Sequence, residues 1–166
     1  RFDIDASGSV TLRDSLRVAE TASPVSLSIK ASVDLSLVWV AAVFDMAGAM
    51  PRTMLHKFTL TPSGYQEVLA QRVSFTDRYV MLSAVSPDGR FLVLDRGDWP
   101  VNNSWFECYD GSGQTLSEAT GYLPATKQTA ADRYWAGQTG FSGDGRIFAA
   151  SGWSPTATIS LFQPKV

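Results

Sequence analysis

The sequence predicts an all-β protein made of repeated, four-stranded antiparallel units. Three observations support this fold class: short apolar stretches of strand length recur along the chain, Gly, Pro, Asp and Ser separate them, and one cassette of residues occurs twice. The first copy reads Asp77-Arg78-Tyr79, Ser86-Pro87-Asp88-Gly89-Arg90 and Trp99-Pro100, and the second reads Asp132-Arg133-Tyr134, Ser142-Gly143-Asp144-Gly145-Arg146 and Trp153-Ser154-Pro155.

The cassette divides a single domain, residues 1–166, into units. In the clearest unit, residues 77–119, the predicted strands are Tyr79 to Val85, Arg90 to Asp95, Ser104 to Tyr109 and Gln114 to Ala119, with a loop from Arg96 to Asn103. Residues 25–71 form a diverged unit with strands Val25 to Ala31, Leu35 to Phe44, Leu55 to Thr61 and Tyr65 to Gln71. Residues 132–162 repeat three strands and residues 1–15 match the end of a unit, so thirteen strands are predicted.

These units resemble the blades of β-propellers. The resemblance rests on four short strands per unit and on Ser-Pro-Asp-Gly-Arg, residues 86–90, between the first two strands. The pattern is shared by WD-repeat-like, YVTN and TolB-like blades, and its strong motifs lie in residues 77–155. The sequence departs from the WD-repeat form, because no Gly-His pair opens the units and no Trp-Asp pair closes the third strands.

The number of units raises the question of closure. Propellers have about 4–8 blades, whereas the sequence predicts about three. We therefore expect either that the chain is part of a longer propeller or that further copies of itself, or another protein, complete the ring. An antiparallel β-sandwich is the alternative fold, although it does not explain why the turn and tryptophan markers recur together.

Composition excludes some partners. The net charge of −2 and the lack of a basic stripe argue against nucleic acid. The longest apolar run, residues 37–44, is too short to span a bilayer, for which about 20 residues are needed, so no membrane insertion is predicted. A chain rich in Ser, Thr and Gly is typical of extracellular or particle-surface β-proteins.

Few residues are suited to catalysis. His56 is the only histidine and Cys108 the only cysteine, and we interpret both as sheet or core residues instead of a catalytic dyad. The spacing of Asp3, Asp5 and Ser7 is similar to part of a calcium loop but lacks the remaining ligands. No nucleotide, zinc or hydrolase motif is found, and no cofactor or metal site is predicted.

The candidate binding residues lie where second strands lead into third strands. In a propeller these connections share one face, and here they are rich in aromatic, Met and charged residues, which are common in binding hot spots. The candidates are Met46, Met50, Arg52, Arg96, Asp98, Trp99 and Trp153. The structural alternative is that Trp99 and Trp153, which occupy equivalent positions, pack on their own blades.

The leading hypothesis is therefore a non-catalytic binding or assembly module that uses this loop face for a protein or glycan partner. Two alternatives remain open. The chain could be a fragment of a propeller enzyme, of hydrolase or dehydrogenase type, with catalytic groups outside it. It could also be a structural subunit of a viral or cell-surface assembly.

Overall fold

The computed structural model describes residues 2–12, 16, 18, 24–44, 52–76, 79–98, 103–115, 117–118, 135–153 and 157–162. The strands pair antiparallel throughout these parts, which confirms the all-β prediction. They are β1 Phe2–Ile4, β2 Val10–Leu12, β3 Ser26–Ala31, β4 Leu37–Phe44, β5 Arg52–Thr61, β6 Gly64–Glu67, β7 Val73–Phe75, β8 Tyr79–Val85, β9 Phe91–Asp98, β10 Asn103–Asp110, β11 Ser117–Glu118, β12 Trp135–Phe141, β13 Phe148–Trp153 and β14 Ala157–Phe162.

Consecutive strands pair with one another in four sheets. The N-terminal hairpin contains β1 and β2; unit I contains β3 to β7, unit II contains β8 to β11, and unit III contains β12 to β14. Each unit begins as a meander, in which a strand pairs with the strand that follows it, as the short turn-rich connections predict; in unit I the last strand, β7, pairs with β5 instead of β6.

The last strand of unit I differs from the prediction of one strand from Tyr65 to Gln71. A 3-10 turn, Leu69–Gln71, divides it into β6 and β7, which pair with different halves of β5. β6 pairs with Phe58–Thr61, whereas β7 pairs with Thr53–Leu55. The register on β5 shifts by three residues between the two strands, since Leu55 pairs with Val73 and not with Ala70 as a continuation of β6 would require, and the 3-10 turn accommodates this shift.

The same turn closes the first hairpin of every unit. A serine hydroxyl donates to the carboxylate of the aspartate two residues later, at 2.5–2.6 Å. The aspartate carboxylate accepts a hydrogen bond from the backbone N–H of the residue two positions after it, at 3.0–3.1 Å. The serine hydroxyl oxygen accepts one from the backbone N–H of the residue five positions after the serine, at 2.8–3.0 Å. The Ser/Asp pairs are Ser32/Asp34, Ser86/Asp88 and Ser142/Asp144. The diverged sequence at residues 32–36 thus forms the same turn as the Ser-Pro-Asp-Gly sequence.

Each turn needs one residue with a positive φ. Gly89 and Gly145 provide it at 74° and 71°, and Leu35 occupies the same position at 60°. A residue with a Cβ is strained in this region, whereas glycine is not. Leu35 is therefore the point at which the diverged unit departs from the favoured turn chemistry.

An apolar core lies between units I and II. Trp39, with no exposed surface, inserts from unit I and donates its indole N–H to the carbonyl oxygen of Gly89 at 3.2 Å. The cluster consists of Trp39, Ala41, Leu55, Val80, Leu82, Leu92 and Leu94, all buried. Burial of apolar surface contributes about 25 cal/mol per Å², so this layer is a main source of cohesion between the two sheets.

The three units follow one another in the same orientation. β8 contacts β3 on one side and β12 on the other. The N–H of Leu82 donates to Ser28 Oγ at 3.0 Å, and Thr139 Oγ1 donates to the carbonyl oxygen of Ser83 at 3.1 Å. The turns also meet, since the N–H of Val33 donates to the carbonyl oxygen of Pro87 at 2.8 Å. All three Ser/Asp turns therefore lie at one end of the stacked sheets.

Candidate functional site

The second strands end, and the third strands begin, at the end of the sheets opposite the Ser/Asp turns. Their closing backbone pairs are Phe44 with Arg52 in unit I, Asp98 with Asn103 in unit II, and Trp153 with Ala157 in unit III. We call the strand ends at these pairs the loop end; residues 45–51, 99–102 and 154–156, which join them in sequence, lie outside the described residues. Since the turns lie together, the register of the hairpins brings the three pairs of strand ends to a common side.

Arg52 is the candidate residue whose side chain is best defined. It begins β5 and is half-buried, and its guanidinium carbon lies 4.7 Å from the centre of the Phe44 ring. Phe44 is itself buried with Ala42 and Met54. A guanidinium at this distance from an aromatic ring makes a cation–π contact. Arg52 thus places a positive charge beside the end of β4.

Arg96 and Asp98 lie in a strand and not in the predicted loop. β9 continues to Asp98 because it has backbone partners on both sides. These partners are Tyr79 and Val80 of β8 and residues 103–105 of β10. The connection in unit II therefore contains only residues 99–102.

For the remaining candidate residues the structure describes the backbone of Trp153 only. Trp153 ends β13, where its backbone pairs with both Trp135 and Ala157. Met46, Met50 and Trp99 lie outside the described residues. The structure therefore brings Arg52, Arg96, Asp98 and Trp153 to the loop end by backbone position.

A buried polar cluster between units I and II has no sequence motif and was not predicted. Lys57 Nζ donates to the carbonyl oxygen of Gly111 at 2.7 Å and lies 5.2 Å from the Trp39 ring. The amide of Gln71 donates to the same carbonyl at 3.1 Å and also contacts the carbonyl oxygen of Gly113. Burial lowers the pKa of Lys57, while the charge of Asp110 acts in the opposite direction. This cluster holds the two sheets together at the β10–β11 turn.

His56 is part of a second polar group inside unit I. Its Nδ1 lies 2.8 Å from Glu67 Oε1, and Arg72 binds the same carboxylate through two N–H groups at 2.7 Å each. Burial raises the pKa of Glu67, but the hydrogen bonds from Arg72 and then His56 outweigh it, and the net pKa is lowered. The carboxylate therefore stays ionised and fixes the strand pair β5–β6 to the chain that follows.

Cys108 is a core thiol, as predicted. It is buried in β10, and burial, followed by the charge of Asp110, raises its pKa to about 12. Because the thiolate and not the thiol is the nucleophile, Cys108 is inert at neutral pH.

Asp95 is a second group on these strands with a raised pKa. It lies in β9 opposite Met81 and Phe106, and burial raises its pKa to about 7. No sequence signal distinguishes Asp95 from a surface aspartate.

Asp5, one of the two aspartates near the N-terminus, forms a hydrogen-bonded turn with Ser7 and Ser9, whereas Asp3 lies in β1. Asp5 Oδ1 accepts the backbone N–H groups of Ser7 and Ser9 at 2.8 and 3.0 Å, together with the Ser7 hydroxyl at 2.6 Å. These bonds, with the Ser7 hydroxyl first, lower the pKa of Asp5. Among the described residues, no group of three or more His, Cys, Asp or Glu side chains is arranged to hold a metal ion.

Comparison with known proteins adds no relative. No protein-family model matches the chain, and no curated protein matches it in sequence. Within the described parts of the chain, no helix has the length and apolar character to cross a membrane.

Proposed function

We propose that this chain is a non-catalytic binding module of the β-propeller type, whose loop end contacts a protein or glycan partner. The propeller arrangement is supported by the order of the units. Their first strands, β3, β8 and β12, are neighbours, and each unit continues outward as a meander. This is how blades are placed around a propeller axis.

One observation carries the choice of the loop end. The pairs that close the three hairpins lie at the end opposite the Ser/Asp turns, so the chain brings three pairs of strand ends to one side. Arg52, Arg96, Asp98 and Trp153 lie at these strand ends, and Trp99 belongs to the second connection by sequence. Loops held by rigid strands are the usual position for binding residues, and Trp and Arg contribute strongly to binding energy.

The chemistry of the described core supports binding over catalysis. The Cys108 thiol is neutral at physiological pH, and the imidazole of His56 is buried against Glu67. Neither group is therefore placed to act on a substrate at the loop end.

Photo-cross-linking tests the location of the surface. The chain carries benzoylphenylalanine at position 99 or 153 and is irradiated in an extract of surface proteins, while the unmodified chain is applied to an array of immobilised glycans. We expect a discrete protein adduct or retention on a defined glycan. Adducts from position 146, in the turn at the opposite end, provide the control, because the Arg146 side chain is 84% exposed.

A double variant separates binding from folding. Trp99→Ala combined with Trp153→Ala removes the aromatic side chains, and we expect a normal melting curve with loss of the adduct or the glycan signal. If the double variant instead fails to fold, the tryptophans are structural residues of their own units. Equal cross-linking from positions 99, 153 and 146 would contradict the proposal.

A further inference from the structure

The buried contact between units I and II contains a polar oxygen atom that the described protein groups do not satisfy. Gln71 is 1% exposed, and its side-chain oxygen Oε1 has no hydrogen-bond partner among the residues that the structure describes. Buried polar atoms are nearly always hydrogen-bonded, and ordered water commonly supplies the partner where the protein does not. Oε1 therefore marks a position at which a small hydrogen-bond donor binds.

The nitrogen of the Gln71 amide fixes which atom is left without a partner. Nε2 donates to the carbonyl oxygen of Gly111 at 3.1 Å and also contacts the carbonyl oxygen of Gly113. An amide nitrogen carries two N–H groups, whereas the amide oxygen is only an acceptor. The reversed amide would place Oε1 against two carbonyl oxygens, so the orientation with Nε2 on them is the favourable one. The ligand of Oε1 must therefore donate a hydrogen bond.

Lys57 provides a hydrogen-bond donor beside this acceptor. Its Nζ donates to the carbonyl oxygen of Gly111 at 2.7 Å, so Nζ and the Gln71 amide are bound to the same atom. An ammonium group has three N–H donors, and this bond uses one of them. The Trp39 ring, 5.2 Å from Nζ, interacts with the charge. Since Lys57 is 8% exposed, little of the side chain faces bulk solvent.

The charges around these two side chains select the kind of ligand. The ammonium group of Lys57 repels a metal cation, whereas Oε1 and the carbonyl oxygens of Gly111 and Gly113 repel an anion. A water molecule suits both side chains, because it accepts as well as donates hydrogen bonds and has two to four polar partners when buried. One water joins polar atoms up to about 5.6 Å apart. The shared acceptor keeps Lys57 Nζ and Gln71 Nε2 within a comparable distance.

We propose that Lys57 and Gln71 bind one resident water molecule between units I and II. The water accepts a hydrogen bond from Lys57 Nζ and donates one to Gln71 Oε1, so that the ammonium group and the amide belong to one network across the two sheets. The site lies at the β10–β11 turn, where the N–H of Gly111 donates to the carbonyl oxygen of Arg90. This is the end of the sheets opposite the loop end, so the inference does not depend on the proposed function.

A high-resolution crystal structure of the whole chain tests the site directly. We expect the electron density of one water molecule within hydrogen-bond distance of both Lys57 Nζ and Gln71 Oε1. A protein side chain that donates to Oε1 would overturn the proposal, as would a metal ion at this position or the absence of any density beside a well-ordered Gln71.

Magnetic relaxation dispersion of the water oxygen counts the slowly exchanging water molecules in solution. We expect Gln71→Met to lose one of them, because methionine fills a similar volume without an amide oxygen. The matched control, Gln66→Met, should keep the wild-type number, since Gln66 is exposed and bonded to Ser63. A circular dichroism melt checks that each variant folds, and the wild-type crystal structure decides if Gln71→Met does not. Equal numbers in the wild type and a folded Gln71→Met would overturn the proposal.

Discussion

Lys57 of unit I donates a hydrogen bond of 2.7 Å to the carbonyl oxygen of Gly111 in unit II. The residue is 8% exposed, and its charge also lies over the Trp39 ring at 5.2 Å. Since Gln71 binds the same carbonyl at 3.1 Å, the contact between the two sheets combines a buried charge, an amide and an aromatic ring.

Two substitutions separate the roles of the Lys57 stem and its charge. We expect Lys57→Ala to lower the free energy of unfolding by about 2–3 kcal/mol, because both the packing on Trp39 and the hydrogen bond are lost. Lys57→Met keeps an apolar side chain packed on Trp39, and Gln71 still donates to the carbonyl oxygen of Gly111. We therefore expect it to lower the free energy of unfolding by about 1 kcal/mol or less. Urea unfolding measures both, and equal losses would show that packing of the stem contributes little.

The two turn glycines have the same conformation but different surroundings. A Cβ on Gly89 would lie 2.7 Å from Leu37 Cδ1, whereas the nearest atom to a Cβ on Gly145 is Pro87 Cδ at 3.5 Å. We expect Gly145→Ala to cost about 1 kcal/mol for its positive φ alone, and Gly89→Ala about 2–4 kcal/mol, because the stacked turns must also separate. Thermal unfolding compares the pair, and equal costs would refute close stacking of units I and II.

Leu35→Gly should stabilise the protein. Leu35 has φ 60° and is 41% exposed, so glycine relieves backbone strain at a small cost in packing. We expect a gain of about 0.5–1 kcal/mol in the free energy of unfolding. Leu35→Ala is the control, because it removes the side chain and keeps the strain. A destabilised Leu35→Gly variant would mean that the leucine packing outweighs the strain.

Asp95 should make stability depend on pH between about 4 and 7. Burial raises the pKa of its carboxyl group to about 7 in the folded chain, against an ordinary value of 3.8, so the folded state binds the proton more tightly. The protonated carboxyl group therefore favours the folded state at acid pH. As pH rises through that window, we expect the free energy of unfolding to fall by about 2–4 kcal/mol. Asp95→Asn should flatten the profile measured by urea unfolding.

The control for Asp95 is Asp144→Asn. The hydrogen bond from Ser142 lowers the pKa of Asp144, so its contribution changes only below pH 4. If Asp95→Asn leaves the slope between pH 4.5 and 7.5 unchanged, the carboxyl group of Asp95 is not buried in solution.

The sequence predicted the parts of the fold that local chemistry determines. Residues 86–90 carry the serine, aspartate and glycine that the turn requires, and they indicated both the turn and its repeat. The split of the last strand of unit I was not predictable, because the 3-10 turn at Leu69–Gln71 has ordinary residues and no Gly or Pro. The extension of β9 to Asp98 was also missed, since Gly97 and Asp98 have low strand propensity and are held by their partner strands.

The candidate site was predictable in outline only. The cassette placed Trp99 and Trp153 at equivalent positions, and register explains why the strands next to them, β9 and β13, end on the same side. Lys57 and Gln71 had no signal, because their partner Gly111 lies 54 and 40 positions away in sequence. Such contacts arise from the packing of units and not from any local pattern.

The claim that the connections between second and third strands share one end of the molecule is tested most directly by distances between spin labels in solution. Labels at Val101→Cys and Pro155→Cys would mark two connections, and a label at Gly143→Cys, where a side chain meets no neighbour within 4 Å, would mark the opposite end. Cys108 is replaced by Ala throughout. We predict that the distance between positions 101 and 155 is shorter than that between positions 101 and 143, since β13 separates the two ends by about 20 Å. A longer distance between positions 101 and 155 would contradict the account.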